Sequence, residues 1–155
     1  MSGKALREVL AALGVIASMV FVGLEIRQNT VAVNGSTLQA ISDTHTEFLV
    51  SYSLDSTYRS AEALVFSGAS RDDLDAEQRT LMNSYVIAWI GMLENTYLQN
   101  RLGLVDDAVF EGYGWNRAFH RTPYFAEMWE RRARLFVSDE FREFFESRVQ
   151  VGPDP

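Results

Sequence analysis

Sixteen consecutive residues, Val9 to Leu24 (VLAALGVIASMVFVGL), carry no charge and a single hydroxyl, Ser18. Few surroundings accept such a run. A helix that is apolar on every face needs either the interior of a globule or lipid around it. At about 1.5 Å per residue the run covers roughly 24 Å, short of a hydrocarbon core of about 30 Å. The flanks supply the difference. Lys4 and Arg7 on one side and Arg27 on the other have aliphatic stems that lie along lipid while their charges reach water. Counted from Ala5 to Ile26, the helix reaches about 33 Å. The run therefore reads as a membrane anchor, with Val9, Leu10, Leu13, Val15, Ile16, Met19, Val20, Phe21, Val22 and Leu24 facing lipid.

Two other readings compete with it. A cleaved signal peptide wants small residues in A-x-A spacing just past the apolar core. The run ends Val22-Gly23-Leu24-Glu25-Ile26-Arg27, which offers no such site, and the absence of cysteine excludes lipoprotein processing. A core helix of a water-soluble globule would also be apolar, with Gly14, Ser18 and Gly23 marking close packing. Such a helix must be surrounded, which a helix at one end of a small domain seldom is. The basic residues favour an N-terminus in the cytoplasm and a domain beyond the membrane, periplasmic in a bacterium, by a margin of two before the run against one after it. Gly14 and Ser18 form a small-xxx-small pair that would let another spanning helix approach.

The other residues are too few for more than one further domain. With 14 basic and 21 acidic residues in all, the chain lacks the basic face that phosphate neutralisation requires, so nucleic acid is not expected as a partner. The charge is uneven. Residues 25–109 hold twelve acidic and five basic side chains, whereas residues 110–149 hold seven of each. The first stretch would be repelled by anionic headgroups, and the second could lie closer to a bilayer or a partner. Without cysteine the fold must rest on packing alone.

After the anchor comes a polar collar, Glu25 to Thr30. The run GVIASMVFVGLEIRQNT, Gly14 to Thr30, resembles the opening of a group of uncharacterised bacterial proteins. These have one N-terminal hydrophobic helix, an Ile-Arg-Gln-Asn-Thr collar and a small helical domain. The resemblance implies an anchored helical protein and carries over no activity and no catalytic residue.

From Val31 to Tyr52 the apolar positions Val31, Leu38, Ile41, Phe48, Leu49 and Tyr52 recur at helical steps. Asn34-Gly35 and the capping-box spacing of Ser36 and Gln39 suggest a kink or a fresh start there. Leu54-Asp55-Ser56 predicts a break, followed by a short helix to about Phe66 that Ser67-Gly68 ends. Asp75 and Gln78 fit a capping box opening the central helix, Ala76 to about Leu102, with Gly103 beyond it. Asp106 or Asp107 opens a helix to about His120, made irregular by Gly112 and Gly114. Thr122-Pro123 starts another, carrying Phe125, Met128, Trp129 and Leu135. Ser138 caps the last, with Phe141, Phe144, Phe145 and Val149 on its apolar face. No segment alternates with period two. The expectation is an all-α chain: anchor and collar over 1–30, a bundle of about five to six helices over 31–150, and a tail over 151–155.

Candidate site residues are few. His45 falls on an apolar stripe, where a satisfied core histidine is the ordinary reading. His120 falls at a helix end, where a cation suits the dipole. Glu-x-x-His pairs, zinc-ligand spacing, a phosphate loop and a nucleophile elbow are all absent, so neither a metal, a cofactor nor a catalytic residue is nominated. Glu94, at the edge of the central stripe, needs a partner, for which an arginine of another helix is the expected one. Its functional alternative is a pocket carboxylate beside Trp89 and Tyr97. Eleven of the nineteen aromatics fall within Phe110 to Phe145, with six arginines among them. Most must be core, yet Trp115 and Trp129 with Arg131, Arg132 and Arg134 have the composition of a protein interface or headgroup layer. The reading is a non-catalytic accessory or scaffolding subunit of a larger bacterial membrane assembly, energy-converting complexes being one home for it. Its partners would be other membrane subunits and the bilayer. The alternative is a membrane-tethered sensor holding an apolar small molecule between its helices.

Overall fold

The structure, a computed structural model, describes residues 3–113, 115 and 117–153, except for the side chains of Ala5, Leu6 and Val9. The anchor position Val9 thus lies outside the described side chains. Among the described residues there are six α-helices and no strand: α1 (Gly3–Ser53), α2 (Ser56–Phe66), α3 (Ala76–Arg101), α4 (Asp107–Glu111), α5 (Pro123–Arg131) and α6 (Asp139–Arg148). Short 3-10 turns occupy Arg71–Asp73, Ala118–Arg121 and Ala133–Leu135. The all-α expectation holds. The chain divides into two compact units, Met1–Gln39 and Ala40–Pro155.

In the first unit, α1 leaves its apolar side chains uncovered, Met19 at 69% exposure and Phe21 at 61%. Among the described residues it is the one helix long and apolar enough to cross a membrane, and its most apolar window has no buried residue. A core helix would be covered. The Ser18 hydroxyl donates to Gly14 O at 2.8 Å, which satisfies the run's one side-chain donor within its own helix. The break suggested at Asn34-Gly35 does not occur. Ser36 Oγ donates back to Val33 O at 2.9 Å instead of capping a new helix, and α1 continues.

In the second unit, α3 is the centre. Its N-terminus is closed by a reciprocal pair, with Gln78 N donating to Asp75 Oδ1 (2.9 Å) and Asp75 N to Gln78 Oε1 (3.1 Å). Met82, Tyr85, Val86, Trp89, Ile90, Leu93, Thr96 and Tyr97 are buried along it. Leu104 N reaches back to Gln99 O (2.9 Å) across Gly103, whose φ of +71° suits glycine. On one side α2 buries Tyr58, Ala61 and Val65, its N-terminus held by Asp55 Oδ1, which accepts from Thr57 N and Tyr58 N. The last turns of α1 add Ile41, with Phe48 and Tyr52 packed against it, and α5 and α6 contribute Phe125, Trp129, Phe141 and Phe145 to the core.

Two expected helices are shorter than the sequence suggests. The helix opened at Asp106 ends at Glu111, because Gly112 follows and the Trp115 indole turns back to donate to Phe110 O (2.7 Å). The helix opened by Thr122-Pro123 ends at Arg131. Arg132 leaves helical geometry (φ −148°, ψ −54°), and Leu135, expected on the apolar face, is exposed.

Candidate functional site

Three pairs of aromatic or aromatic-carboxylate residues spaced by four converge in the second unit: Phe48 with Tyr52 on α1, Tyr58 with Glu62 on α2, and Tyr85 with Trp89 on α3. Four-residue spacing sets each pair on one helix face. Tyr52, Tyr58 and Tyr85 form a triangle, with ring centroids 5.3 Å (52–58), 5.1 Å (52–85) and 4.9 Å (58–85) apart. Phe48 stacks on Tyr85 at 5.1 Å, and Phe119 meets Tyr85 edge-on at 5.4 Å. Beside them opens a cleft of about 460 Å³. Leu49, Val50, Tyr52, Ser53, Tyr58, Glu62, Phe66, Tyr85, Trp89 and Arg117 to Phe119 contribute to its walls. That volume lies within the roughly 300–1,000 Å³ of small-molecule sites.

Opposite charges stand on this wall. Glu62 Oε1 accepts from the Tyr58 hydroxyl at 2.8 Å. The Arg117 guanidinium lies 4.6 Å from the centroid of the Trp89 ring, and the residue is exposed. Neither Glu62 nor Arg117 forms an ion pair among the described residues. Burial raises the Tyr58 and Tyr85 phenols above their ordinary range, so both stay protonated and offer hydrogen bonds, not bases.

Behind the cleft, Trp89 Nε1 donates to His120 Nε2 at 3.1 Å. An indole N–H can only donate, so Nε2 is unprotonated and His120 Nδ1 carries the hydrogen, which it gives to Trp115 O at 2.9 Å. His120 is fully buried. Burial first, and the Arg117 charge in addition, hold its pKa down at about 4, against the favourable hydrogen bond to Trp115. The helix-end cation expected at this position is therefore a neutral core imidazole with both nitrogens engaged, unable to serve as a free base. His45 also differs from expectation. Its ring sits 5.7 Å from Trp89 and 5.6 Å from Tyr113, its pKa is lowered by burial and then by Arg117, and its buried Nε2 has no partner among the described residues.

Trp89, Glu94 and Tyr97, the alternative pocket, do not share the cleft. Trp89 alone of the three lines the cleft. Glu94 Oε1 accepts from Ser138 N and from Ser138 Oγ, both at 2.7 Å, and so ties α3 to the start of α6. Its partner is a helix N-terminus and not an arginine, since unpaired N–H groups at that end attract a carboxylate. Tyr97 is buried against Phe141 (5.6 Å) and Phe144 (4.7 Å).

The aromatic interaction surface is also corrected. Trp115 and Trp129 are core, 2% and 1% exposed, because each indole finds an acceptor, Phe110 O and Glu146 Oε1 respectively. Of the arginines named with them, Arg131 and Arg132 are exposed and Arg134 is half-buried, pairing with Glu130; Arg132 lies over Phe136 at 5.7 Å. Among the described residues, no three His, Asp or Glu side chains gather as metal ligands. The cleft itself escapes a linear reading because its walls come from α1, α2, α3 and the 117–119 segment. The available signal was the repeated four-residue aromatic spacing.

No family model, curated protein or solved structure matches this chain.

Proposed function

We propose that the chain is a non-catalytic, single-pass protein of a bacterial inner membrane. In this reading α1 is the anchor and the helical unit makes contacts as an accessory or scaffolding subunit of a larger membrane assembly. The carrying observation is the uncovered apolar run of α1. Leu10, Leu13, Val15, Ile16, Val20, Phe21, Val22 and Leu24 each favour the middle of a bilayer by about 0.3–0.6 kcal/mol, together roughly 2–5 kcal/mol, and no charge within the run opposes them. Lys4 and Arg7 before the run, against Arg27 after it, support a cytoplasmic N-terminus and a periplasmic helical unit. Energy-converting complexes are one home consistent with this design. Extraction in mild detergent followed by mass analysis tests the reading. Recovery with other membrane subunits is the expected result, and a lone monomer would overturn it.

A second reading, a membrane-tethered small-molecule sensor, is favoured by one observation: the aromatic cleft beside Trp89. A ligand that binds only the folded state raises the unfolding temperature by linkage, which a thermal-shift screen detects.

A further inference from the structure

We propose that the cleft takes a zwitterion with a flat apolar body, chemically an aromatic α-amino acid or a close analogue. Arg117 would receive the carboxylate, Glu62 the ammonium, and the aromatic wall the side chain. This rests on the small-molecule reading above and names the ligand class for it.

The argument starts from the two charges. Arg117 and Glu62 line one cleft of about 460 Å³, yet they form no ion pair with each other or with any other described residue. Each retains capacity. The Arg117 guanidinium carbon lies 4.6 Å from the Trp89 ring centroid, a contact with a ring face that uses none of its N–H donors, and a guanidinium fork can give a carboxylate two parallel bonds. Glu62 gives one oxygen to the Tyr58 hydroxyl and keeps its second oxygen. That hydroxyl holds the carboxylate in place, since Tyr58 is buried and its ring is fixed against Tyr52 and Tyr85.

Charge complementarity then excludes simpler ligands. An organic anion seated on Arg117 would face the Glu62 carboxylate, and an amine seated on Glu62 would face the guanidinium. A singly charged ligand therefore leaves one of the two wall charges unmatched, whereas a ligand carrying both signs meets a partner at each end. The body of the ligand is set by the walls. Half-buried Tyr52 and exposed Phe66 offer the accessible rings, with buried Tyr85 and Phe119 packed behind them, and aromatic pairs gain beyond simple burial when offset or edge-on. A zwitterion without an apolar body would leave these faces wet.

The test uses the full chain in detergent, with calorimetric binding of four probes: L-tryptophan, indole-3-propionate, tryptamine and glycine betaine. L-Tryptophan should bind at least tenfold more tightly than the two singly charged indoles, and betaine should not bind. Arg117→Gln and Glu62→Gln should each weaken L-tryptophan at least tenfold. Gln at position 62 can still accept from Tyr58, and Arg117→Gln loses only an exposed, weak contact with the Trp89 ring, so both variants should stay folded and unfold within a few degrees of the wild type without ligand. Rescue of tryptamine binding by Arg117→Gln, and of indole-3-propionate binding by Glu62→Gln, would separate the two charge contacts. If a singly charged indole binds as well as L-tryptophan, the zwitterion assignment fails while the small-molecule reading stands. If no probe binds, both fail.

Discussion

His120 shows how a residue can be ordinary in sequence and decisive in the fold. Its neutral form is fixed by an indole donor on one nitrogen and a carbonyl on the other, and the pKa falls from 6.5 to about 4. Between those values the unfolded chain binds the proton that the fold refuses. The stabilisation is therefore complete above pH 6.5 and lost as the pH falls toward 4. A fall from 6.5 to about 4, at about 1.4 kcal/mol per unit, amounts to roughly 3–4 kcal/mol. His45, lowered for the same first reason, acts with the same sign. Denaturant titrations over this window should show stability dropping with acid in the wild type, and a flatter profile in His120→Gln, which cannot titrate. An equally steep profile in the variant would assign the acid sensitivity to other groups.

At the scale of the element, most helix starts were legible because their determinants lie within four residues, the false start at Ser36 excepted. Asp75 with Gln78, Thr122 before Pro123, and Ser138 each cap the helix expected of them. Helix ends were less so, since Arg132 and the turn after Glu111 obey packing and not local preference. What joins two elements was not legible at all. Glu94 meets Ser138 from 44 positions away, and nothing near Glu94 announces a helix N-terminus as its partner. The same holds for the cleft, whose tyrosines are distributed over three helices. Glu94→Ala should cost about 1 kcal/mol in equilibrium unfolding, because two bonds to a charged acceptor are lost at a site that water can reach. Glu94→Gln, which can still accept from Ser138, should cost less. If alanine and glutamine prove equal, the carboxylate's charge and not its bonds is what matters.

For the whole molecule, the dominant fact is the first unit's uncovered apolar surface. It was readable from sixteen residues because a run without charge leaves few alternatives, and its described side chains are exposed. On the membrane reading, the full chain should remain in the pellet after an alkaline, high-salt wash. Replacing Val15 and Met19 together by arginine should move it out. Each arginine near the middle of a spanning helix costs about 2.5–3.5 kcal/mol, so the pair exceeds the roughly 2–5 kcal/mol that the apolar side chains supply. Retention of the double variant in the washed pellet would mean that other parts of the chain hold it there.

The placement of the three tryptophans has an optical consequence. All three indoles are buried with their N–H groups bonded, but of the three only Trp89 borders the cleft, with the Arg117 guanidinium near its ring and the His120 imidazole on its Nε1. Emission from Trp89 should thus respond to whatever enters and to protonation of its imidazole neighbour. The other two supply a steady background, so the molecule contains its own fluorescent gauge of occupancy.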